Sequence, residues 1–240
     1  MGRGVTGLIL KAMRADDYVF TVLSAEAVSE HYHRIRFDGG DFLQENPWFP
    51  TMWVRLWVPK SGAATTDADE GTLVQRGYTI VAPEGSEFTI EFAMHEGPAP
   101  RWALDAEPGD RIAATMMGAD LTVPEEPAPS EFVLVGDAAS IPAINSILGT
   151  AQAPCRVYLE YQHDAERELP VQSEAVTWVP RENRGATLVS TVIGGGIGSD
   201  AFLFVAAETK ATREITKAAK RDFGLPKDRI KSQAYWLQRG

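Results

Sequence analysis

Cysteine is all but missing from this chain. Cys155 is the only one in 240 residues, so no disulfide can form within it, which fits a reducing compartment. Histidine is scarce as well. His31, His33, His95 and His163 are the whole set, and no cysteine or carboxylate spacing around them supports a metal site. Extended apolar stretches are missing too. The opening MGRGVTGLILKAMRADDY offers only Leu8 to Leu10, too short for a signal-peptide core or a membrane span, and no later run is long enough either. The protein is therefore expected in the cytoplasm. Positive charge is in deficit: 23 Lys/Arg face 33 Asp/Glu, for a net charge of −10. Nucleic acid is excluded as a partner on that ground, since a polyanion needs a basic field. Neither a Gly-x-Ser-x-Gly elbow nor a Walker phosphate loop occurs.

What is present is an ordinary globular composition, 44% hydrophobic and 23% charged, in a chain long enough for two modest domains. The charge is uneven. From Lys210 to Gly240 there are nine Lys/Arg against three Asp/Glu, a net of +6, which leaves −16 on residues 1–209. A basic C-terminal segment on an acidic body can attract an anionic ligand, although a solvated amphipathic helix explains the same lysines.

The first half reads as short strands. YVFTVLSAEAV, YHRIRFDG, MWVRLWVP, GYTIVAP and EFTIEFAMH are β-rich, with a turn at Pro83-Glu84-Gly85-Ser86. PRWALDAEPGDRIAAT reads as one short helix, a Pro-Gly-Asp turn and a sixth strand. This pattern predicts a small antiparallel barrel over residues 1–123. VPEEPAPSE, with Pro124, Pro127 and Pro129, reads as an interdomain linker. From residue 131 to 240 strands alternate with helices: FVLVGD, CRVYLEYQH, AVTWVPR and AFLFVAAE are four strands, and TKATREITKAAKRDFG is a helix stopped by Gly224. That alternation predicts a parallel α/β domain. GGGIGS, from Gly194 to Ser199, mimics a dinucleotide fingerprint but precedes a strand, and reads as a flexible loop.

Five short stretches carry possible chemistry. Arg76, Tyr78 and Thr79 place a forked cation, a flat ring and a hydroxyl along one strand. An ordinary strand with a surface arginine explains the same residues. HEGPAPRW, from His95 to Trp102, turns at Gly97-Pro98 into a helix start, where free N–H groups and the dipole favour an anion. VGDAASIPA, from Val135 to Ala143, closes an apolar strand and opens a helix, the place where open α/β sheets take ligands. There small residues suit either a ligand or tight packing. Glu208 in VAAET sits at a helix start, where an acid is favourable in any case. Tyr235 and Trp236, in QAYWLQRG, are costly to leave exposed, so they close the core or cover a flat ligand.

Taken in order, Arg-x-Tyr-Thr, His-x-Gly-Pro-Ala-x-x-Trp-Ala, Pro-Gly-Asp, Gly-Asp-x-x-x-Ile-Pro-Ala and a final Tyr-Trp-x-x-Gly resemble the siderophore-interacting protein family. These are flavin-dependent ferric-siderophore reductases with a ferredoxin-reductase-like architecture. The resemblance covers nearly the whole chain. RGVTGLILKAM, MMGAD and DFGLPKDRIKSQAYW extend it to the siderophore-interaction domain of mycobacterial-type ABC importers of carboxymycobactin. It implies an antiparallel six-stranded FAD-binding barrel followed by a parallel α/β domain for NADPH or NADH. It implies FAD held by Arg76, Tyr78 and Thr79 at the isoalloxazine and flanking phosphate. His95, Gly97, Pro98 and Ala99 would serve the pyrophosphate and ribitol, with Trp102 beside them. Gly136, Asp137 and Ala138 would line the nicotinamide approach, and Tyr235 and Trp236 would lie near the flavin face. No side chain acts as acid or base. Lys217, Lys220, Arg221, Lys231 and Arg239 are the candidates to steer an anionic ferric siderophore of the carboxymycobactin or mycobactin type. The implied setting is the inner face of a membrane, as a domain of a longer importer. Val81, Ala138-Ala139, Ala206-Ala207 and Met117-Gly118 depart from the family pattern, which weakens nicotinamide binding more than FAD binding. Two rival functions stay open: a siderophore-docking module without turnover, and a general flavin reductase.

Overall fold

The computed structural model describes residues 17–62, 73–118 and 121–238. The chain divides into two compact units, Met1–Asp120 and Leu121–Gly240. RGVTGLILKAM and Arg239 lie outside the described residues.

The first unit is a closed antiparallel barrel. Its strands are β1 (Asp17–Ser29), β2 (Tyr32–Asp38), β3 (Trp53–Pro59), β4 (Leu73–Glu84), β5 (Glu87–Ala93) and β6 (Arg111–Met116), in spatial order β1-β2-β5-β4-β3-β6. Period-two alternation builds it. On β2, Ile35 and Phe37 are fully buried, while Arg34 and Arg36 turn outward to carboxylates. Arg34 reaches Glu91 at 2.6 Å and Arg36 reaches Glu87 at 2.6 Å, on the neighbouring β5. Two helices accompany the strands. The four-residue α1 (Phe42–Glu45), which no periodicity announced, lays Phe42 edge-on against Phe20 at 5.1 Å. The expected helix is α2 (Pro98–Asp105). The Pro83-to-Ser86 turn forms with Gly85 at a φ of 63°, a left-handed position that glycine takes at no steric cost.

The second unit is a five-stranded parallel sheet. Its strands are β7 (Phe132–Asp137), β8 (Cys155–Tyr161), β9 (Val176–Pro180), β10 (Phe202–Glu208) and β11 (Ile230–Trp236), in order β11-β10-β7-β8-β9. Every residue of β7 and of β10 is buried, as strands covered on both faces require. Helices α3 (Ile141–Leu148), α4 (Ala186–Gly194) and α5 (Thr209–Arg221) cover it. Four strands were expected and five are present. The added β11 is an edge strand whose IKSQAYW pattern is half polar, so it lacked the apolar signal of the inner strands. The proline-rich segment falls on this side of the division: Arg229, itself buried, donates to the carbonyls of Pro127 and Asp200. The GGGIGS segment is pinned, not loose. Arg156 donates to the carbonyls of Gly195 and Gly196, both at 3.0 Å, and is itself anchored by Glu131.

Candidate functional site

On the barrel, β4 carries Arg76 and Tyr78 on one face, opposite Leu56 and Val54 of β3. Arg76 is exposed, and its guanidinium makes a single hydrogen bond, to the carbonyl of Gln75 at 2.8 Å. Tyr78 packs its ring on Phe92 at 4.4 Å. Burial raises the Tyr78 phenol above its ordinary pKa, with the Arg76 charge pulling weakly the other way, so the hydroxyl stays protonated and able to donate. Among the described residues neither Tyr78 nor Thr79 has a side-chain hydrogen-bond partner. Gln75 adds a buried Nε2 with no partner. An arginine with N–H groups to spare, a phenol, a hydroxyl and an amide suit a flat ligand bearing carbonyl and phosphate oxygens, which is the chemistry of FAD.

Helix α2 meets the expectation only in part. Gly97 is its extended N-cap and Pro98 its first residue. Pro98 and Pro100 have no N–H, and the Arg101 amide is already bonded to the Gly97 carbonyl at 3.3 Å. Ala99 alone therefore supplies a helical amide in the first turn. The imidazole of His95 folds back over Gly97, where an added Cβ would lie 2.8 Å from its Cε1, and Nδ1 meets the Glu96 carbonyl at 3.1 Å. Trp102 is fully buried and stacks parallel to Phe37 at 6.3 Å, so it contributes to the barrel core. The motifs meet through it nonetheless, because Phe92 lies between Tyr78 and Trp102, 6.5 Å from the latter.

In the second unit, the carboxyl ends of the strands assemble a cluster that the sequence named only in part. Asp137 ends β7, Glu160 lies at the end of β8, Glu208 ends β10, Arg181 follows β9 and Trp236 ends β11. Asp137 accepts from the Ala139 amide at 3.0 Å and from the Trp236 indole N–H at 2.7 Å. Arg181 donates to Glu160 and to Gln238, and its guanidinium lies 4.5 Å from the centre of the Trp236 ring. Glu208 caps α5 by accepting from the Lys210 and Ala211 amides. Burial pushes Asp137 up to about 6, against the Trp236 and Ala139 hydrogen bonds and the Arg181 charge that lower it. Burial likewise pushes Glu160 up to about 7, with Arg181 opposing and Asp137 and Glu208 reinforcing.

Gly136 is tightly packed: an added Cβ would lie 1.8 Å from Ser140 Oγ and 3.0 Å from the Ala206 carbonyl. Its smallness serves strand–helix packing, and the neighbouring Ala138 is buried too. The basic candidates scatter. Lys217 and Lys220 are exposed on α5, Lys231 is half-buried on β11, and the fork of Arg221 is taken by Asp222 at 2.6 and 2.7 Å. Arg221 is thus already neutralised. Glu160 and Arg181 were missed, though a signal existed: an acid or arginine closing each of several apolar strands marks their carboxyl ends.

A family model described as a siderophore-interacting FAD-binding domain matches residues 21–119, and one described as siderophore-interacting protein matches residues 129–239. The mycobactin import ATP-binding/permease protein IrtA of Mycolicibacterium smegmatis is 35% identical over 99% of this chain and 28% of its own length. The chain thus spans under a third of that relative. The ferric vibriobactin reductase ViuB of Vibrio cholerae is 26% identical over 68% of this chain and 64% of its own. The solved siderophore-interacting protein SipS from Aeromonas hydrophila superposes with a TM-score of 0.77 at 23% identity, covering 93% of this chain and 92% of that one. No helix among the described residues is long and apolar enough to cross a membrane.

Proposed function

We propose a function from one premise: the chain belongs to the siderophore-interacting protein family, and its barrel is that family's FAD-binding domain. On this reading it is an oxidoreductase that takes a hydride from NADPH or NADH and reduces siderophore-bound Fe(III) to Fe(II). One hydride donor then serves two ferric ions and leaves one proton. Hard oxygen ligands hold Fe(II) far more weakly than Fe(III), so reduction releases the metal. The observation that carries the reading is the set of spare donors on Arg76, Tyr78 and Thr79, in a barrel matched by an FAD-binding model.

When bound, FAD accepts electrons as a pair and passes them on singly, which no side chain does. The protein's part is positioning. Arg76 neutralises phosphate, Tyr78 holds its ring against the flavin side of the site, and Thr79 offers a hydroxyl to the isoalloxazine edge. The Ala99 amide, Gly97 and His95 serve the pyrophosphate. Asp137 and Ala138 border the nicotinamide, with Tyr235 and Trp236 on the aromatic side. Lys217, Lys220 and Lys231 draw in an anionic ferric complex. The chain works at the inner face of a membrane, as a domain of an importer with a mycobactin-like cargo.

A second reading, a docking module without nicotinamide turnover, is favoured by one observation: side chains of the protein itself occupy the carboxyl edge of the parallel sheet. One experiment separates the two. The visible spectrum of the FAD-loaded protein is recorded before and after anaerobic NADPH, and then NADH. Bleached flavin bands followed by Fe(II) release from a ferric siderophore support the reductase. Bands that persist with both donors favour the docking module. Bleaching without iron release points to a general flavin reductase.

A further inference from the structure

The parallel sheet has one topological switch point. β7 leads to β8 and β9 on one side, and the chain then returns to β10 on the other side of β7. Open α/β sheets take their ligands in the crevice outside the carboxyl ends at such a point. Here the crevice lies between Asp137 and Glu208, and Trp236 fills it. From the edge strand β11 its indole reaches past the end of β10 to bond Asp137 on β7. From the opposite edge, Arg181 reaches past the end of β8 to stack on that indole. The two side chains together cross the ends of all five strands.

Fixed contacts hold them there. Thr209 donates its hydroxyl to the Trp236 carbonyl at 2.7 Å, Gln238 accepts from Arg181 at 2.8 Å, and the Gln238 amide reaches Glu208 at 3.3 Å. Glu160 anchors Arg181 through one oxygen, while its Oε1 is buried without any partner.

We propose that Arg181 and Trp236 form a strap, anchored by Glu160, that must leave the carboxyl edge before a nicotinamide dinucleotide seats there. This rests on the reading of the chain as a nicotinamide-driven reductase. The ligand end that enters is the nicotinamide. Opening the strap exposes the acceptors of Asp137 and Glu160, which suit the N–H groups of a neutral carboxamide and repel a phosphate. A site whose competent state is seldom populated binds with its affinity lowered by that fraction, so loosening the strap strengthens binding.

The test uses the FAD-loaded protein, with NADP+ and NAD+ as non-reducing probes in calorimetric titrations of wild type, Arg181→Ala and Trp236→Phe. Trp236→Phe keeps a ring and removes only the N–H, so it decides the matter should Arg181→Ala fail to fold. Amide hydrogen exchange across residues 232–238 reads the strap directly. The expected result is dissociation constants lower by about tenfold in Arg181→Ala and severalfold in Trp236→Phe. Wild-type exchange near Gln238 should rise when the probe is added. Equal or weaker binding in the variants, with the wild type binding, overturns the strap and leaves the nicotinamide reading standing. Binding to none of the three, while Arg181→Ala shows fast exchange, overturns both.

Discussion

The indole N–H of Trp236 donates to Oδ2 of Asp137 at 2.7 Å, joining residues 99 apart in sequence. The bond ties the last strand of the parallel sheet to the first. Asp137 also receives the Ala139 amide at the turn that follows β7. One carboxylate therefore closes a local turn and a long-range contact together.

Asp137→Ala and Asp137→Asn separate these duties from the charge. The alanine variant leaves two donors without their acceptor, and an unmade buried hydrogen bond costs about 1–3 kcal/mol. The donors bond different oxygens, so asparagine keeps one acceptor and sets an NH2 against the other donor. Urea unfolding followed by intrinsic fluorescence should show Asp137→Ala destabilised by roughly 2–4 kcal/mol, and Asp137→Asn by less, since one of the two bonds survives. Equal losses would mean that both carboxylate oxygens are needed together.

Glu160 sets a pH dependence. Its folded pKa is raised to about 7, and that of Asp137 to about 6, above the ordinary carboxylate values. Between roughly pH 4 and 7 the folded protein therefore holds protons that the unfolded chain has released. The linkage slope is then negative, so the contribution of these acids to stability falls as pH rises through that window. Comparing unfolding midpoints at pH 5 and pH 8 isolates the effect when Glu160→Gln is run beside the wild type. The variant should lose less stability between the two pH values; a parallel decline in both proteins would rule Glu160 out as the source.

How much of this could be read from the chain depends on burial. The barrel was legible because its strands are β-rich and set off by turn residues, with β2 alternating over most of its length. β7 and β10 were legible because strands covered on both faces are apolar throughout. β11 was not, since an edge strand need not be apolar, and α1 was not, since four residues carry no periodicity. That Arg76, Tyr78 and Thr79 share one strand was legible too. Glu160 and Arg181 were not, because they meet only when two parallel strands end side by side. Gly136 and Trp102 are both tightly packed, which their motifs did not announce. A short motif names a residue without telling whether its side of the chain faces a ligand or the core.

Gly136→Ala tests the packing assignment. The added methyl would lie 1.8 Å from Ser140 Oγ. Overpacking of a tight core costs about 1–3 kcal/mol, occasionally more. Adding Ser140→Ala removes the nearest obstacle and should recover part of the loss in thermal unfolding, although the Ala206 carbonyl at 3.0 Å remains. Additive losses in the double variant would contradict direct contact between the two positions.

Trp102 and Tyr78 give the sharpest separation of core from site, because Phe92 links them in one ladder of rings. Trp102→Phe removes buried volume from a residue with no exposed surface, so it should lower the melting temperature of the barrel by several degrees. At temperatures where the barrel stays folded, its FAD dissociation constant should match the wild type. Tyr78→Phe keeps the ring on Phe92 and removes only a hydroxyl that has no partner among the described residues, so stability should change little. Its FAD affinity should fall severalfold, by the net worth of one hydrogen bond of about 1 kcal/mol. Arg76→Ala should cost more, about tenfold or greater, because a charge-assisted bond to phosphate is roughly twice as strong as a neutral one. Fluorescence titration of apoprotein with FAD measures all three. An unchanged affinity in Tyr78→Phe and Arg76→Ala, with a loss in Trp102→Phe at full folding, would move the cofactor off the β4 face altogether.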